Sequence, residues 1–392
     1  MSQKLTNPNI ILITLDGARY DRIKNFPNFK NLTEKGTLFS QMITYAPYTI
    51  AAMHAIFSGA YGNRNGVNNY YASPYFKEDS FMTLTTYLKD KGYSTIGDIL
   101  NEICVPKQGF DELTIQNTDN LDLTERHSKL LKKASKLKKK GQNFFLFLHY
   151  SKIQNSIKIN VSRKYNNFSK EYFEKKDDNL KAYDGYAKEA DDYLGEILNK
   201  INELDLSDSL VLVNTDHGMG VGEKFGEKAY GVYCYDYTAK AFAVFYHPDI
   251  FPAKEVKELV RTVDILPTIL DVLDIKQDKT KEKIDGKTMM PMIEGKKDDR
   301  YAFIESGNPY PDHKIPPRKP NVRAIRTKKW KFILNNWNND SEELYDLESD
   351  PEETNNLINK EKKIAEDLRN KLNLELRRGL KAKVETIKKN LN

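Results

Sequence analysis

The 392-residue sequence contains little cysteine and no long apolar run. Its two cysteines, Cys104 and Cys234, cannot build a disulfide framework, and their spacing is not that of a metal site. No stretch approaches the roughly 18 consecutive apolar residues that a transmembrane helix needs. The first residues lack the long apolar segment and the small-residue cleavage site of a signal peptide. These absences predict a cytoplasmic protein without a transmembrane segment.

An excess of charge of one sign is also missing. The chain has 62 Lys+Arg and 56 Asp+Glu, a net charge of +6 over its whole length. Nucleic-acid-binding proteins usually concentrate positive charge on one face, so we expect no nucleic-acid partner. In the most basic stretch, residues 129–140, Leu130, Ala134 and Leu137 share one face of a helix. This pattern favours a solvated amphipathic helix, and contact with an anionic membrane or polysaccharide is the alternative.

What the sequence does contain is a series of apolar strands separated by helix-like segments. Residues 9–15 (NIILITL) form an apolar run rich in β-branched residues, and 143–151 and 209–218 repeat the pattern. Between these runs, residues 80–91 and 180–203 carry apolar side chains at intervals of three and four. Strands that alternate with helices predict an α/β fold with a doubly wound, mostly parallel sheet.

The last quarter of the chain has a different pattern. Residues 324–337 alternate between apolar and polar side chains like an antiparallel strand pair, and a Lys/Glu-rich helix is expected from about residue 359. We therefore predict a main domain over residues 1–295. A small C-terminal α+β subdomain, with an antiparallel sheet and a terminal helix, is predicted over residues 296–392.

Polar side chains stand at the carboxyl ends of the three predicted strands. Asp16 follows the first strand, His149 ends the second, and Asp216 and His217 follow the third. Ligands of doubly wound sheets bind beyond these strand ends. Carboxylates and imidazoles are ligands of Zn²⁺, Mn²⁺ and Mg²⁺. A lone strand-end aspartate is often only a helix cap, but two in one crevice predict a metal site.

Six segments occur in an order that resembles the sulfatase-like branch of the alkaline phosphatase superfamily. The second segment includes Thr49 and Gly59, whose ten-residue separation is similar to that of the family's nucleophile and glycine. The resemblance covers nearly the whole chain and implies an alkaline phosphatase-like fold, with residues 1–295 as the catalytic domain. The segments are NIILITLDGARYD, PYTIAAMHAIFSGAYGNRNGV, NFFLFLHYS, TDHGMGVGEK, VDILPTILDVL and ELYDLESDPEETNNL.

The resemblance implies a divalent metal site with a nucleophile bound to it. Carried over by position, Asp16, Asp216 and His217 are metal ligands, and Thr49 is both a ligand and the nucleophile. A threonine hydroxyl is a weak nucleophile until a cation lowers its pKa, and the cation also neutralises charge on the ester. A helix N-cap is the alternative role for Thr49. The two roles are compatible, because a helix N-terminus favours an anion bound beside the nucleophile.

One departure from the family pattern concerns the nucleophile. True sulfatases carry C/S-x-P-S-R, whose Cys or Ser becomes formylglycine, whereas this chain has Thr49, Ala51, Ala52 and Met53. We therefore predict a metal-dependent hydrolase or transferase for a phosphodiester, phosphomonoester or phosphonate ester, with a phosphothreonine intermediate. The alternatives are a sulfuric ester hydrolase, that is a sulfatase, and a non-catalytic protein that binds anionic glycans.

A second departure concerns the number of metal ions. Relatives often read HYxDPHxPY after the central strand, whereas this chain has Lys152 and Gln154 at the Asp and His positions. We expect one divalent ion per chain, Mn²⁺ or Zn²⁺ in preference to Mg²⁺ or Ca²⁺. The ammonium group of Lys152 would then supply a further positive charge to the substrate. A surface lysine is the alternative.

Further candidates are weaker, and their alternatives stay open. His149 would orient a metal ligand or act as a general acid. Lys228, in preference to Lys224, is a candidate cationic contact, and His313 lies in a loop from which relatives contact substrate. His54 either packs or reaches the leaving group. The expected partner is an anionic ester on a glycan or a lipid-linked headgroup, and the sequence leaves the oligomeric state open.

Overall fold

The computed structural model describes residues 8–116, 121–308 and 315–391. His313 lies outside these ranges, so its role stays a prediction. The strands are β1 (Ile10–Leu15), β2 (Thr37–Ile43), β3 (Ser94–Ile99), β4 (Glu112–Ile115), β5 (Phe144–Tyr150), β6 (Leu210–Asn214), β7 (Lys240–Tyr246), β8 (Lys254–Val256), β9 (Val260–Arg261), β10 (Ala302–Ser306), β11 (Val322–Arg326), β12 (Trp330–Asn335) and β13 (Ser341–Asp346).

Helices connect most of these strands. They are α1 (Tyr20–Ile23), α2 (Pro27–Thr33), α3 (Thr49–Ser58), α4 (Gly62–Asn65), α5 (Leu84–Asp90), α6 (Leu123–Lys139), α7 (Lys152–Ser156), α8 (Lys170–Glu174), α9 (Lys176–Glu203), α10 (Asp236–Ala239), α11 (Ile265–Val272), α12 (Met290–Ile293) and α13 (Lys362–Leu391). A π-helix covers Ile157–Ser162, and 3-10 turns cover Ser73–Tyr75 and Thr262–Asp264. Within the described ranges, every helix is too short or too polar to span a bilayer.

The strands β1 to β9 form one sheet in the order β4-β3-β5-β1-β6-β7-β2-β8, with β9 also paired to β2. The pairs from β4 to β6 are parallel, and β7 is antiparallel to both of its neighbours. Side chains of β1 alternate between two cores. Ile10 and Leu12 face the core formed with α3, α5 and α11, and Ile11 and Ile13 face the core formed with α2, α6 and α9. Both faces are buried, which confirms the predicted doubly wound, mostly parallel sheet.

The C-terminal strands β10 to β13 form a separate antiparallel sheet in sequence order. Phe303 and Phe332 of this sheet pack with Leu368 and Leu372 of α13 and with residues that precede and begin α3. The predicted small α+β subdomain is therefore present. Its first strand, β10, begins at Ala302. The predicted boundary between residues 295 and 296 stays a prediction.

Candidate metal centre

Three neighbouring strands bring the predicted polar side chains together. In the order β5-β1-β6, Thr14 of β1 is in register with His149 of β5 and with Asn214 of β6. Asp16 therefore leaves the sheet between His149 on one side and the segment that begins after Asn214 on the other. Carboxyl ends of parallel strands lie at one edge, which is why residues about 200 positions apart converge.

The centre of this edge is a cluster of Asp16, Asp216 and His217. Each offers one ligand atom, these atoms lie within 4.8 Å of one another, and all three residues are fully buried. The Nδ1–H of His217 donates to the carbonyl of Gly218 at 2.7 Å. The lone pair of Nε2 therefore points inward, 3.5 Å from Asp16 Oδ1 and 3.6 Å from Asp216 Oδ2.

Gly218 permits this arrangement because no larger residue fits there. A Cβ atom at that position would lie 2.3 Å from the carbonyl oxygen of Tyr237. The backbone N–H of Gly218 also donates to the carbonyl of Thr238 at 2.8 Å. The turn that presents Asp216 and His217 is thus packed directly against the backbone of α10.

The electrostatics of the cluster fit a divalent cation. Burial, together with the charge of Asp16, raises the pKa of Asp216 to about 6. Oδ2 of Asp216 is buried without a hydrogen-bond partner among the described residues. Two carboxylates and one imidazole nitrogen are the ligand types that Zn²⁺ and Mn²⁺ accept. These residues would therefore hold a cation that compensates their buried charge.

Thr49 is the first residue of α3, and its side chain lies against the cluster. Its Oγ1 is 3.2 Å from His217 Nε2 and 3.3 Å from Asp16 Oδ2. The N-cap of the helix is Tyr48, so Thr49 does not cap α3. Backbone N–H groups of the first turn lack acceptors within a helix, and this end of α3 therefore favours a bound anion.

Gln154 and Tyr230 complete the cluster, and no sequence pattern predicted their contacts. The side-chain NH₂ of Gln154 donates to Asp16, at 2.6 Å to Oδ2 and 3.0 Å to Oδ1, and its Oε1 accepts from the Tyr230 hydroxyl at 2.8 Å. The ring of Tyr230 lies 5.0 Å from the imidazole of His217. Gln154 was notable in the sequence only because it replaces the family's histidine.

His149 contacts Asp16 from the opposite side. Its Nε2–H donates to Asp16 Oδ2 at 3.0 Å, and its Nδ1 accepts from the N–H of Leu100 at 3.4 Å. Burial lowers the pKa of His149, but the hydrogen bond and the charge of Asp16 outweigh burial and raise it. With both nitrogens engaged, the ring is placed to orient Asp16.

The other sequence candidates lie in different surroundings. Lys152 is half-buried at the first residue of α7, and Gln154 of the same helix makes the contact with Asp16. The ammonium group of Lys228 donates to the carbonyls of Ser162, at 2.9 Å, and Tyr165. The catalytic roles of Lys152 and Lys228 stay predictions.

Two further candidates have structural partners. His54 is buried, its Nδ1–H donates to the carbonyl of Ile50 at 2.7 Å, and burial lowers its pKa to about 4. Lys224 lies over the rings of Tyr235 and Tyr345 and contacts the carbonyl of Glu353. The buried ring of His54 is thus hydrogen-bonded to its own helix, α3. Lys224 joins the main domain to the C-terminal subdomain.

A charged cleft of about 710 Å³ separates these two parts of the molecule. Arg19, Lys240 and Arg326 are among the residues that line it, together with acidic residues such as Asp21 and Glu223. The side chain of Arg19 is bound by both of these acids. None of the metal-centre residues lines this cleft, so it is distinct from the candidate site.

Comparison with known proteins identifies the family. The family model described as Sulfatase matches residues 8–275, and the model described as N-sulphoglucosamine sulphohydrolase, C-terminal, matches residues 232–381. The choline-sulfatase of Rhizobium meliloti is 26% identical over 178 residues, which cover 45% of this chain and 32% of that protein. Matches to several curated relatives thus span about a third of their length.

Two further comparisons cover most of the chain. An ulvan-active sulfatase of Formosa agariphila is 23% identical over 408 residues, which cover 89% of this chain and 76% of that protein. A protein solved in complex with its substrate D-glucosamine-2-N,6-O-disulfate superposes with a TM-score of 0.74 at 16% identity. That superposition covers 96% of this chain and 98% of the other, and it shows the same fold.

These comparisons correct the predicted chemistry. The matched family model and the curated relatives are sulfatases, so the prediction of a phosphoric ester hydrolase or phosphotransferase, with its phosphothreonine intermediate, is wrong. Thr49 and Met53 depart from the family motif, but the match to the family model extends over residues 8–275, more than half of the chain. Members of this family are metal-dependent, in agreement with the buried cluster of Asp16, Asp216 and His217. The chain therefore belongs to the sulfatase family.

Proposed function

We propose that this chain hydrolyses sulfuric esters at the centre formed by Asp16, Thr49, Asp216 and His217. One observation carries the proposal: Oγ1 of Thr49 lies 3.2 Å from His217 Nε2 and 3.3 Å from Asp16 Oδ2, inside a ligand cluster for one cation. A nucleophile within a metal-ligand cluster is the arrangement needed for displacement at a sulfuryl group. Membership of the sulfatase family agrees with this chemistry.

The nucleophile is proposed to be the unmodified hydroxyl of Thr49. Formylglycine is an aldehyde, and it forms from Cys or Ser because their Cβ carries no carbon substituent. The Cβ of threonine carries a methyl group, so its oxidation would give a ketone instead. The position filled by arginine in the family motif is Met53, which carries no charge. The hydroxyl itself is therefore the reactive group available at this position.

Asp16, Asp216 and His217 Nε2 would hold one divalent cation per chain, with Mn²⁺ or Zn²⁺ favoured by the mixture of oxygen and nitrogen ligands. When bound, that cation lowers the pKa of a nearby hydroxyl and offsets charge on a sulfuryl oxygen. His149 and Gln154 hold Asp16 in place through hydrogen bonds of 3.0 Å and 2.6 Å to Oδ2. The carboxylate is therefore fixed from two sides.

The reaction then consists of two displacements. Oγ1 of Thr49, which donates a hydrogen bond to Asp16 Oδ2, gives its proton to that carboxylate and forms a bond to sulfur. The bond between sulfur and the ester oxygen breaks, and the leaving oxygen takes that proton from Asp16 and departs as the alcohol. Water next cleaves the sulfothreonine and releases sulfate, which restores the hydroxyl. The first turn of α3 favours the anion throughout.

The substrate is proposed to be a sulfated glycan. The protein with the same fold was solved with D-glucosamine-2-N,6-O-disulfate, another was described as a 2-O GAG sulfatase, and one curated relative is ulvan-active. The first of these ligands carries both a sulfate ester and a sulfamate on one sugar.

The test is release of sulfate from nitrophenyl sulfate and from sulfated glucosamines, with Mn²⁺ or Zn²⁺ added. Thr49→Ala should lower the rate by about 10³-fold or more because it removes the nucleophile. Thr49→Ser keeps the hydroxyl and should retain activity within about tenfold of the parent. Absence of sulfate release with every metal and substrate would refute the proposal, and binding of sulfated sugar without turnover would favour a non-catalytic binder.

A further inference from the structure

The cleft between the main domain and the C-terminal subdomain has the size of a ligand site. Its volume of about 710 Å³ lies within the range of known ligand pockets, which are common where two domains meet. Tyr20, Tyr237 and Leu347 line it beside charged side chains. Among the described residues that line the cleft, none belongs to the metal centre. A ligand bound there would therefore lie apart from the nucleophile.

Most acidic residues of the cleft are neutralised by cations of the protein. Asp21 and Glu223 both pair with Arg19. Asp236 is 3.2 Å from the guanidinium group of Arg326, which reaches it from the C-terminal sheet. These carboxylates already have partners, so they leave little negative charge for the other cations of the cleft.

Several lysines of the cleft have no such partner. Lys176, Lys240 and Lys328 line it, and within the described part of the chain the ammonium group of none of them forms an ion pair or a hydrogen bond. Lys240 is the first residue of β7 and is half-buried, and burial lowers its pKa against the attraction of Asp236. A half-buried ammonium group without an acceptor is unfavourable, and a bound anion would supply the acceptor.

The arrangement of charge indicates which kind of anion fits. Asp21 and Glu348 line the same cleft as these lysines, with 55% and 61% of their side chains exposed. Carboxylates among the lysines would repel a densely charged polyphosphate, but they accept hydrogen bonds from hydroxyl groups. A sugar chain carries many hydroxyls, and its sulfate or carboxylate groups are spaced along it. The rings of Tyr20 and Tyr237 add amphipathic surface for such a chain.

We propose that this cleft is a second, non-catalytic site that binds an anionic oligosaccharide. Lys240 and Lys328 bind its sulfate or carboxylate groups, and the exposed acids accept hydrogen bonds from its hydroxyls. The site holds a glycan chain on the protein apart from the ester that is cleaved. For the class of ligand the inference rests in part on the proposed function, but binding in the cleft requires no turnover.

The test is calorimetric titration of the full chain, loaded with Mn²⁺, with three probes. They are a heparin hexasaccharide, its desulfated counterpart that keeps the carboxylates, and inorganic tripolyphosphate. Every protein carries Thr49→Ala, which suppresses cleavage during the titration. The cleft variant is Lys240→Gln with Lys328→Gln. The matched control, Lys276→Gln with Lys279→Gln, removes the same charge from exposed positions outside the cleft.

The cleft variant should bind the heparin hexasaccharide at least about tenfold more weakly than its parent, and the control should stay within about twofold. The titrations are repeated with Asp216→Asn added, which weakens the metal site and with it any binding at the metal centre. The loss caused by the cleft variant should be the same in that background. Lys176→Gln with Lys328→Gln should show a loss in the same direction, and it decides the question if the Lys240 variant fails to fold.

The probes also identify the group that the lysines bind. A loss of affinity for both hexasaccharides supports the proposal with carboxylates as sufficient ligands, and a loss for the sulfated chain alone supports it with sulfate as the required group. Equal losses in the control, or no loss in either cleft variant, would overturn the inference. Tighter binding of tripolyphosphate than of either hexasaccharide in the cleft would also overturn it.

The two proposals can fail separately. If the chain with Thr49 intact releases sulfate from no ester, the proposed function fails, while the titrations still test the cleft. If that chain hydrolyses sulfate esters and the cleft variants bind the hexasaccharides as the control does, the function stands and the second site is refuted.

Discussion

Two groups of buried carboxylates lie at the two ends of the segment between β6 and β7, and they are neutralised differently. At its start, Asp216 faces Asp16, and neither is paired with a Lys or Arg in the described part of the chain. At its end, Asp236 contacts both Lys331 and Arg326 from the C-terminal sheet.

The difference separates a structural cluster from a functional one. Lys331 is fully buried and also binds Glu353 at 2.8 Å, so the interface cluster supplies its own cations. Burial alone would raise the pKa of Asp236, but the charges of Lys331 and Arg326 outweigh burial and lower it, whereas burial and the charge of Asp16 raise the pKa of Asp216. Burying two carboxylates without a cation from the protein costs free energy. The pair Asp16 and Asp216 therefore indicates a site for a bound cation.

Removal of the interface cation should have the largest effect on stability. Lys331→Met leaves Asp236 and Glu353 buried with less compensation, and should lower the free energy of unfolding by about 3–5 kcal/mol. Lys329→Met is the matched control, because Lys329 is 44% exposed and pairs with Asp346 at the surface. Urea denaturation measures both, and equal losses would contradict the division between the two clusters.

In the metal centre, removal of one charged side chain should weaken metal binding without lowering the stability of the fold. Asp216→Asn removes one of two facing charges and should weaken binding of Mn²⁺ by about 100-fold or more, equivalent to about 2.7 kcal/mol. The metal-free protein should unfold at the same or higher urea concentration, since repulsion with Asp16 is relieved. Calorimetry with MnCl₂ checks the first effect, and unchanged affinity would remove Asp216 from the ligand set.

The sequence predicted the centre to the extent that it depends on strand ends. Asp16, Asp216 and His217 were predicted because parallel strands place their carboxyl ends together, and the structure brings all three within ligand distance. Thr49 was predicted from the family resemblance and lies against the cluster. The doubly wound sheet followed from apolar runs that alternate with helical periodicity, and it is confirmed.

Contacts made by loops could not be predicted in this way. Tyr230 reaches Gln154 across 76 positions, because the path of the segment after β6 is set by packing that leaves no periodic pattern. The ammonium group of Lys228 is directed to backbone carbonyls for the same reason. The ester class was wrong because it was inferred from the nucleophile motif alone, including Met53, although the family match extends along most of the chain.

The segment between the two clusters also contains Glu227, which should make the stability of the protein depend on pH. This buried carboxylate accepts from the N–H of Val232 at 2.7 Å and of Tyr233 at 3.0 Å, and from the hydroxyl of Tyr237 at 2.5 Å. Burial raises its pKa from 4.5 to about 7 against these hydrogen bonds. The folded protein therefore binds more protons than the unfolded chain between about pH 4.5 and 7, and stability is lost as the pH rises through this window.

The expected loss from pH 5 to pH 8 is about 1–3 kcal/mol, and Glu227→Gln should reduce it, because glutamine keeps an oxygen acceptor without a charge. Urea denaturation of the metal-free parent and variant at both pH values measures the difference. Part of the slope should persist in the variant, since the pKa of Glu353 is also raised to about 7, by burial. Identical slopes in the two proteins would assign the dependence to other groups.

An exposed ion pair should show how little the same charges contribute in water. Lys188 and Asp192, one turn apart in α9, are joined at 2.6 Å with both side chains more than half exposed. Lys188→Gln should lower the free energy of unfolding only slightly, because solvent screens the pair and holding it costs side-chain entropy. At about 1 M salt that difference should vanish, whereas the loss in Lys331→Met should persist, since buried pairs are screened much less. A salt-insensitive loss at Lys188 would mean that burial does not separate the two kinds of ion pair, and the contrast between the interface cluster and the metal centre would then need another cause.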